Sequence, residues 1–219
     1  MAVRYERCRV LFGDDFEVLQ QARVLILGVG GVGGHALDCL YRSGVTNITI
    51  IDYDTYDISN QNRQIGSDAV GAYKTEALTA LYPGIHAIHQ QMDMAWVESF
   101  DFDPYDLVID AADTSRVKIE IAKKIYKKLI MSLGSAKRYD TSKIEVASIW
   151  KSHGDALGRK IRNELKKAKF NRSFTVVFSP EQDQCKEKGS CVAVTGAFGL
   201  TICSEAIKKI LKGTSKRVN

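Results

Sequence analysis

The chain has 219 residues, of which 45% are hydrophobic and 26% charged, enough to bury one full core. This composition excludes a disordered chain and a collagen-like repeat, and the longest apolar runs are too short for a transmembrane helix. The net charge of +5 joins two unlike halves: residues 1–110 carry 7 Lys+Arg and 16 Asp+Glu, whereas residues 111–219 carry 24 and 10.

Val24 to Leu27 is a continuous apolar run that meets glycine at once, the pattern of a buried parallel strand. Gly33 to Arg42 follows as a helix, with Ala36, Leu37 and Leu40 at helical spacing. Asn47 to Ile51 reads as a second strand ending at Asp52, residues 74–82 as a helix, and Ile85 to Gln90 as a third strand. Asp106 to Asp110 gives a fourth strand. Ser115 to Lys128 gives an amphipathic helix with Val117, Ile121 and Ile125 on one face and lysines on the other. Leu129 to Leu133 gives a fifth strand. Strand and helix alternate, so the expectation is an α/β, doubly wound, Rossmann-like sheet, mostly parallel, with its nucleotide-binding core over about 20–135.

After residue 140 the pattern changes. Lys143 to Trp150 and Phe174 to Phe178 look like strands, Gly154 to Lys169 like a basic amphipathic helix, and Val192 to Leu211 like an apolar helix packed on the sheet. In the basic helix Leu157, Ile161 and Leu165 turn inward, and Arg159, Lys160, Arg162, Lys166 and Lys167 turn mostly outward. Without internal repeats or a flexible linker, residues 136–219 are read as a basic extension of one domain. The charged N-terminus (Arg4, Glu6, Arg7) does not resemble a signal peptide. The five cysteines (8, 39, 185, 191 and 203) read as reduced thiols, so a cytoplasmic location is expected.

The chemistry starts at Gly28-Val29-Gly30-Gly31-Val32-Gly33, a G-x-G-x-x-G between a strand and a helix. Glycines let a phosphate approach the backbone, and the helix N-terminus offers unpaired N–H groups. Asp52, 19 residues beyond Gly33, stands where an acid meets a ribose. Neither feature chooses among NAD, FAD and ATP. The cations do: Arg63 and Lys74 suit a triphosphate, whereas a dehydrogenase needs no such charge there. Asp110 and Asp113 close the fourth strand with hard oxygens suited to Mg²⁺.

These segments, with the D-x-D, the N-Q-N-R-Q and the A-A-D-T-S-R, resemble adenylating enzymes of the ThiF/MoeB type, relatives of ubiquitin-activating enzymes. The resemblance implies ATP-dependent activation of a carboxylate, usually in a homodimer. It implies that Asp52 and Asp54 take the ribose and acidic-loop positions, and that Asn60, Arg63 and Gln64 lie by the phosphates. Lys74 would be the triphosphate lysine and Asp113 the magnesium ligand. Arg4 and Arg7 match an N-terminal arginine motif that reaches a neighbouring subunit's ATP site; the alternative is a solvated terminus. The C-x-x-C pairs of the MoeB type are absent, so no zinc is expected.

The second half, from Leu133-Gly134-Ser135-Ala136 through D-A-L-G-R-K-I-R-N-E-L-K-K, V-V-F-S and V-T-G-A-F-G, is similar to the tRNA threonylcarbamoyladenosine dehydratases. In these, ATP activates a carboxylate on a modified adenosine, and the adenylate cyclises with loss of AMP. The chain departs from them in its short Pro180 to Ser190 segment. The basic half favours a tRNA partner. The alternatives are adenylation of a ubiquitin-like sulfur carrier, or a noncatalytic nucleotide-binding module.

Overall fold

The structure is a computed structural model and describes residues 4–215. Its centre is a seven-stranded sheet built from β1 (Val24–Leu27), β2 (Ile48–Asp52), β3 (His86–His89), β4 (Leu107–Asp110), β5 (Leu129–Ser132), β6 (Glu145–Ser148) and β7 (Thr175–Phe178). The spatial order is β3-β2-β1-β4-β5-β7-β6. Neighbours run parallel except β6, which pairs antiparallel with β7. The four strands β1, β2, β4 and β5 are buried along their whole length, as continuous apolar runs require. At one edge, β3 keeps both histidines exposed.

Side chains alternate across the pleat. Val24, Ile26, Ile50 and Ile109 face one layer, where α3 (Gly33–Arg42) and α8 (Val192–Ser215) bring Leu37, Leu40, Phe198 and Ile202. Leu25, Leu27, Val108 and Met131 face the other, covered by Val117 and Ile121 of α6 (Ser115–Ile125) and by Ile161 and Leu165 of α7 (Ala156–Lys167). Helix α8 lies close against α3: a Cβ added at Gly199 would stand 2.7 Å from the Val32 carbonyl and 2.6 Å from the His35 Cβ.

Three short helices are not visible as periodicity: α1 (Glu6–Phe12), α2 (Asp15–Gln21) and α5 (Met94–Ser99). The remaining helix, α4 (Lys74–Leu81), falls where its spacing predicts. Other boundaries move for local reasons. The predicted helix over 115–128 ends its α-helical part at Ile125 and finishes as a 3₁₀ turn. The predicted 154–169 helix begins later, because the Asp155 carboxylate accepts the Gly158 N–H at 2.6 Å as its N-cap. It ends before Lys169, which has φ +54°. The strand read over 143–150 shortens to β6 and passes into a 3₁₀ turn at Ile149–Lys151. Among the described residues, no helix is long and apolar enough to cross a membrane.

Candidate active site

The strand order reverses between β1 and β4, and the turn after β1 opens there into a cleft of about 510 Å³. Gly28 and Gly33 make that turn. Gly28 has φ +82°, and an added Cβ would sit 2.9 Å from the Ala112 backbone. A Cβ at Gly33 would fall 1.9 Å from the Gly28 carbonyl, which no side chain tolerates. Gly30 and Gly31 line the cleft itself, and a Cβ at Gly31 would press on Thr195 and Arg63 at 3.2–3.3 Å. The missing side chains leave a bare backbone surface at the N-terminus of α3, a place for phosphate.

Asp52 ends β2 and joins this turn to the next loop. Its Oδ2 accepts the Val29 N–H at 2.8 Å and its Oδ1 the Asp54 N–H at 2.9 Å. Asp52 also lines the cleft, and each of its oxygens has a lone pair left to accept a further donor. Lys74 is the first residue of α4, nearly buried, with its Nζ 2.8 Å from Asp54 Oδ2. Arg63 donates through Nη1 to the Ser59 carbonyl at 2.8 Å and to Asn62 Oδ1 at 2.7 Å, which fixes its guanidinium, while its Cγ lies beside Gly31. Asn60 accepts the Asp57 N–H at 3.2 Å, completing a reciprocal cap on the short turn Ile58–Asn60. The hydrogen bond from Ser59 to Asp57 holds that carboxyl below its ordinary range. Gln64 lines the same wall, and its Oε1 is buried without a hydrogen-bond partner, an acceptor held ready for a donor.

Asp110 and Asp113, read together as acids for a metal, part company. Asp113 stands at the rim with its side chain 86% exposed, held only by long contacts to Lys188 at 4.0 Å and the Thr114 hydroxyl at 3.5 Å, so a cation can reach its oxygens. Asp110 is fully buried beneath the loop: its Oδ1 accepts from Lys118 Nζ at 2.9 Å and from the Ala112 N–H at 3.2 Å. Burial pushes the Asp110 carboxyl up, against the pull of Lys118. Asp110 therefore props the loop that presents Asp113 and does not face the cleft. Lys118 likewise leaves the polar helix face assigned to it and enters the core.

Arg7 is exposed on α1 and Arg4 lays its guanidinium 4.6 Å over the Tyr41 ring; neither lines the cleft of its own chain. Tyr53 lines the cleft, where its ring offers a face for adenine. Tyr56 is buried and bonds the Ile65 carbonyl. Tyr73 packs on His89, and Tyr5 donates to the Tyr41 carbonyl.

The short 180–190 segment forms a cleft wall. The Gly189 carbonyl accepts the Lys137 N–H, the Gln184 N–H reaches the Lys137 carbonyl, and Asn62 Nδ2 donates to the Ser190 carbonyl, all at 2.8–2.9 Å. This bracing brings Lys188 into the lining, with its ammonium 4.0 Å from Asp113. No motif marks Lys188 in the sequence; only the fold carries it to the site. The cleft thus joins three cations (Arg63, Lys74, Lys188), a glycine cradle and the carboxylates of Asp52, Asp54, Asp57 and Asp113, the last exposed at the rim, a set that fits a nucleoside triphosphate with a divalent cation.

The model of the ThiF family matches residues 5–219. The tRNA threonylcarbamoyladenosine dehydratase of Bacillus subtilis is 34% identical, over 87% of this chain and 82% of that protein. The molybdopterin-synthase adenylyltransferase of Salmonella typhimurium is 30% identical, over 94% of this chain and 81% of that one. The solved structure of the Escherichia coli tRNA N6-threonylcarbamoyladenosine dehydratase, TcdA, in complex with ATP matches with a TM-score of 0.90 at 28% identity, over 97% of this chain and 96% of that chain. A glycine turn, cations gathered in one cleft and a doubly wound sheet thus coincide with similarity over nearly the whole chain, and the chain belongs to the ThiF family, within its tRNA threonylcarbamoyladenosine dehydratase group.

Proposed function

We propose that this chain uses ATP to adenylate the carboxylate of threonylcarbamoyladenosine in tRNA and then closes the adenylate to a cyclic product. The observation that carries the reading is the joint lining of one cleft by Arg63, Lys74 and Asp113 around the glycine turn. A bare dinucleotide site needs no such charges. The tRNA substrate is supported by the dehydratase relatives and by the basic second half of the chain.

In the first step a carboxylate oxygen attacks the α-phosphorus, and the bond to pyrophosphate breaks. Gly28, Gly30, Gly31 and Gly33 receive the phosphates on their backbone, and Asp52 and Asp54 border the ribose end. Arg63 and Lys74, with Asn60 and Gln64 beside them, oppose the charge that gathers on pyrophosphate. Asp113 would hold Mg²⁺, which supplies charge neutralisation between the phosphates when bound. In the second step a nucleophile already present in the substrate attacks the acyl carbon and AMP leaves with the former carboxylate oxygen. The sum is a dehydration, and holding the two reacting groups together serves in place of a covalent enzyme intermediate.

The reading assigns Arg7 to the cleft of a neighbouring subunit in a homodimer, because it is exposed and does not line its own. It places the enzyme with its tRNA in the cytoplasm. Incubation with ATP, Mg²⁺ and either modified tRNA or ubiquitin-like carriers tests it. Pyrophosphate release and a cyclised nucleoside with tRNA alone are the expected result; release with a carrier alone would replace the substrate and keep the adenylation.

A further inference from the structure

We infer that the outer face of α7 is the surface that tracks the tRNA backbone, carrying the strand beside the modified adenosine away from the cleft. The inference rests on the tRNA reading above.

Charge comes first. Residues 151–172 hold eight basic and two acidic residues. Both acids are already engaged. Asp155 is buried as the N-cap of α7 and pairs with Arg138 Nη2 at 3.1 Å, and Glu164 pairs with Lys167 at 2.7 Å. Arg159, Lys160, Lys166 and Lys167 are exposed, and they line a shallow groove of about 540 Å³ along the helix. Lys169 and Arg172, also exposed, continue the line beyond the helix end. Arg162 turns aside to the Ser152 hydroxyl and plays no part in the face. A helix of 12 residues is about 18 Å long, the reach of several backbone phosphates.

Position comes second. Ser135 and Ala136 line the cleft, and the adjoining Gly134 carbonyl accepts from Arg138. Arg138 holds Asp155, and Asp155 starts α7. A second groove of about 310 Å³ at the start of α7, lined by Gly154, Asp155, Arg159, Arg162 and Asp183, shares Ala156 and Arg159 with the basic one, and its one exposed acid, Asp183, is paired with Lys137 at 3.3 Å. The cleft itself is lined by four acids, Asp52, Asp54, Asp57 and Asp113, which repel phosphate that is not held by a cation. A nucleotide entering the cleft therefore meets favourable potential for its flanking strand on the α7 side.

The test is filter binding of tRNA at several salt concentrations, with wild type and the triple variant Lys160→Glu, Lys166→Glu, Lys167→Glu. A second triple variant to Gln avoids placing anions at the helix C-terminus. Each phosphate contact adds about 0.7–0.9 to the log–log salt slope, so loss of three contacts should flatten it by about 2 to 3. The variants should keep the wild-type thermal midpoint and its rise with ATP. Equal affinity and equal slope in wild type and both variants would overturn the inference. So would loss of an acidic ubiquitin-like carrier from the variants while tRNA still binds them. The dehydratase reading fails separately: wild type that binds tRNA through this face yet forms no cyclised nucleoside refutes the reaction and leaves the surface standing.

Discussion

Lys118 and Asp110 form an ion pair at 2.9 Å with no solvent access to either side chain, directly under the loop that carries Asp113. The ammonium also reaches the Asp110 carbonyl at 3.1 Å and the Ser132 carbonyl at 3.2 Å, so it ties the ends of β4 and β5 together. Removing one partner strands the other charge in the core. Lys118→Met should therefore cost about 3–5 kcal/mol. The double variant Lys118→Met, Asp110→Asn should recover most of that stability yet stay slow in turnover, because the loop loses its prop. Urea unfolding gives the first comparison and pyrophosphate release the second. A single variant as stable as wild type would remove the pair from any structural role.

The glycines of the turn should separate by position. Gly33→Ala puts a Cβ 1.9 Å from the Gly28 carbonyl and should abolish nucleotide binding together with much of the folded yield. Gly31→Ala meets only Thr195 and the Arg63 side chain at 3.2–3.3 Å, so the fold should persist with weaker ATP binding. Calorimetric titration of ATP into both variants distinguishes them; identical behaviour would mean that the turn does not carry the phosphates.

Much of this was legible in the residues, and the rest was not for physical reasons. The four central strands announce themselves as apolar runs because they are buried on both faces. Gly28 to Gly33, Arg63, Lys74 and Asp113 stand in motifs whose spacing survives without a structure. The helices α1, α2 and α5 have six or seven residues, too few turns to show a period. Lys118 looked like one more surface lysine, because the carboxylate that lets it be buried lies on another element. Lys188 reaches the cleft through contacts between distant segments, and no local pattern encodes those.

Nucleotide choice is readable by thermal shift. ATP with Mg²⁺ should raise the melting midpoint, and NAD should not, since a ligand stabilises the native state by RT ln(1 + [L]/Kd). Stabilisation by NAD alone would contradict the assignment of Arg63 and Lys74 to a triphosphate.

Charge removal at the phosphates should slow the reaction without unfolding the chain. Arg63→Ala and Asp113→Asn should each lower turnover by about 10²-fold. Circular dichroism checks the fold and pyrophosphate release the rate. Near wild-type rates in both would place the phosphates elsewhere.

Lys188 offers a gentler perturbation, because its side chain is 80% exposed on a braced loop. Lys188→Gln should leave the melting midpoint unchanged and lower kcat/KM by about tenfold, the loss of one charge-assisted contact of roughly 1.5 kcal/mol. Lys188→Arg should restore most of it. An unaltered kcat/KM in the Gln variant would make Lys188 a bystander at the rim.

The close packing of Gly199 on α3 has a consequence for the making of the protein. A ribosome delivers the glycine turn early and the helix that backs it late, with the wall around Lys188 emerging just before that helix. A domain folds as a unit, so a chain that lacks its last helix cannot complete the core. A nascent chain ending before Val192 has the phosphate cradle and no α8 behind it, and the face of α3 that receives Gly199 stands open. Nucleotide capture thus waits for the last helix, and an arrested chain exposes apolar surface that a chaperone must cover.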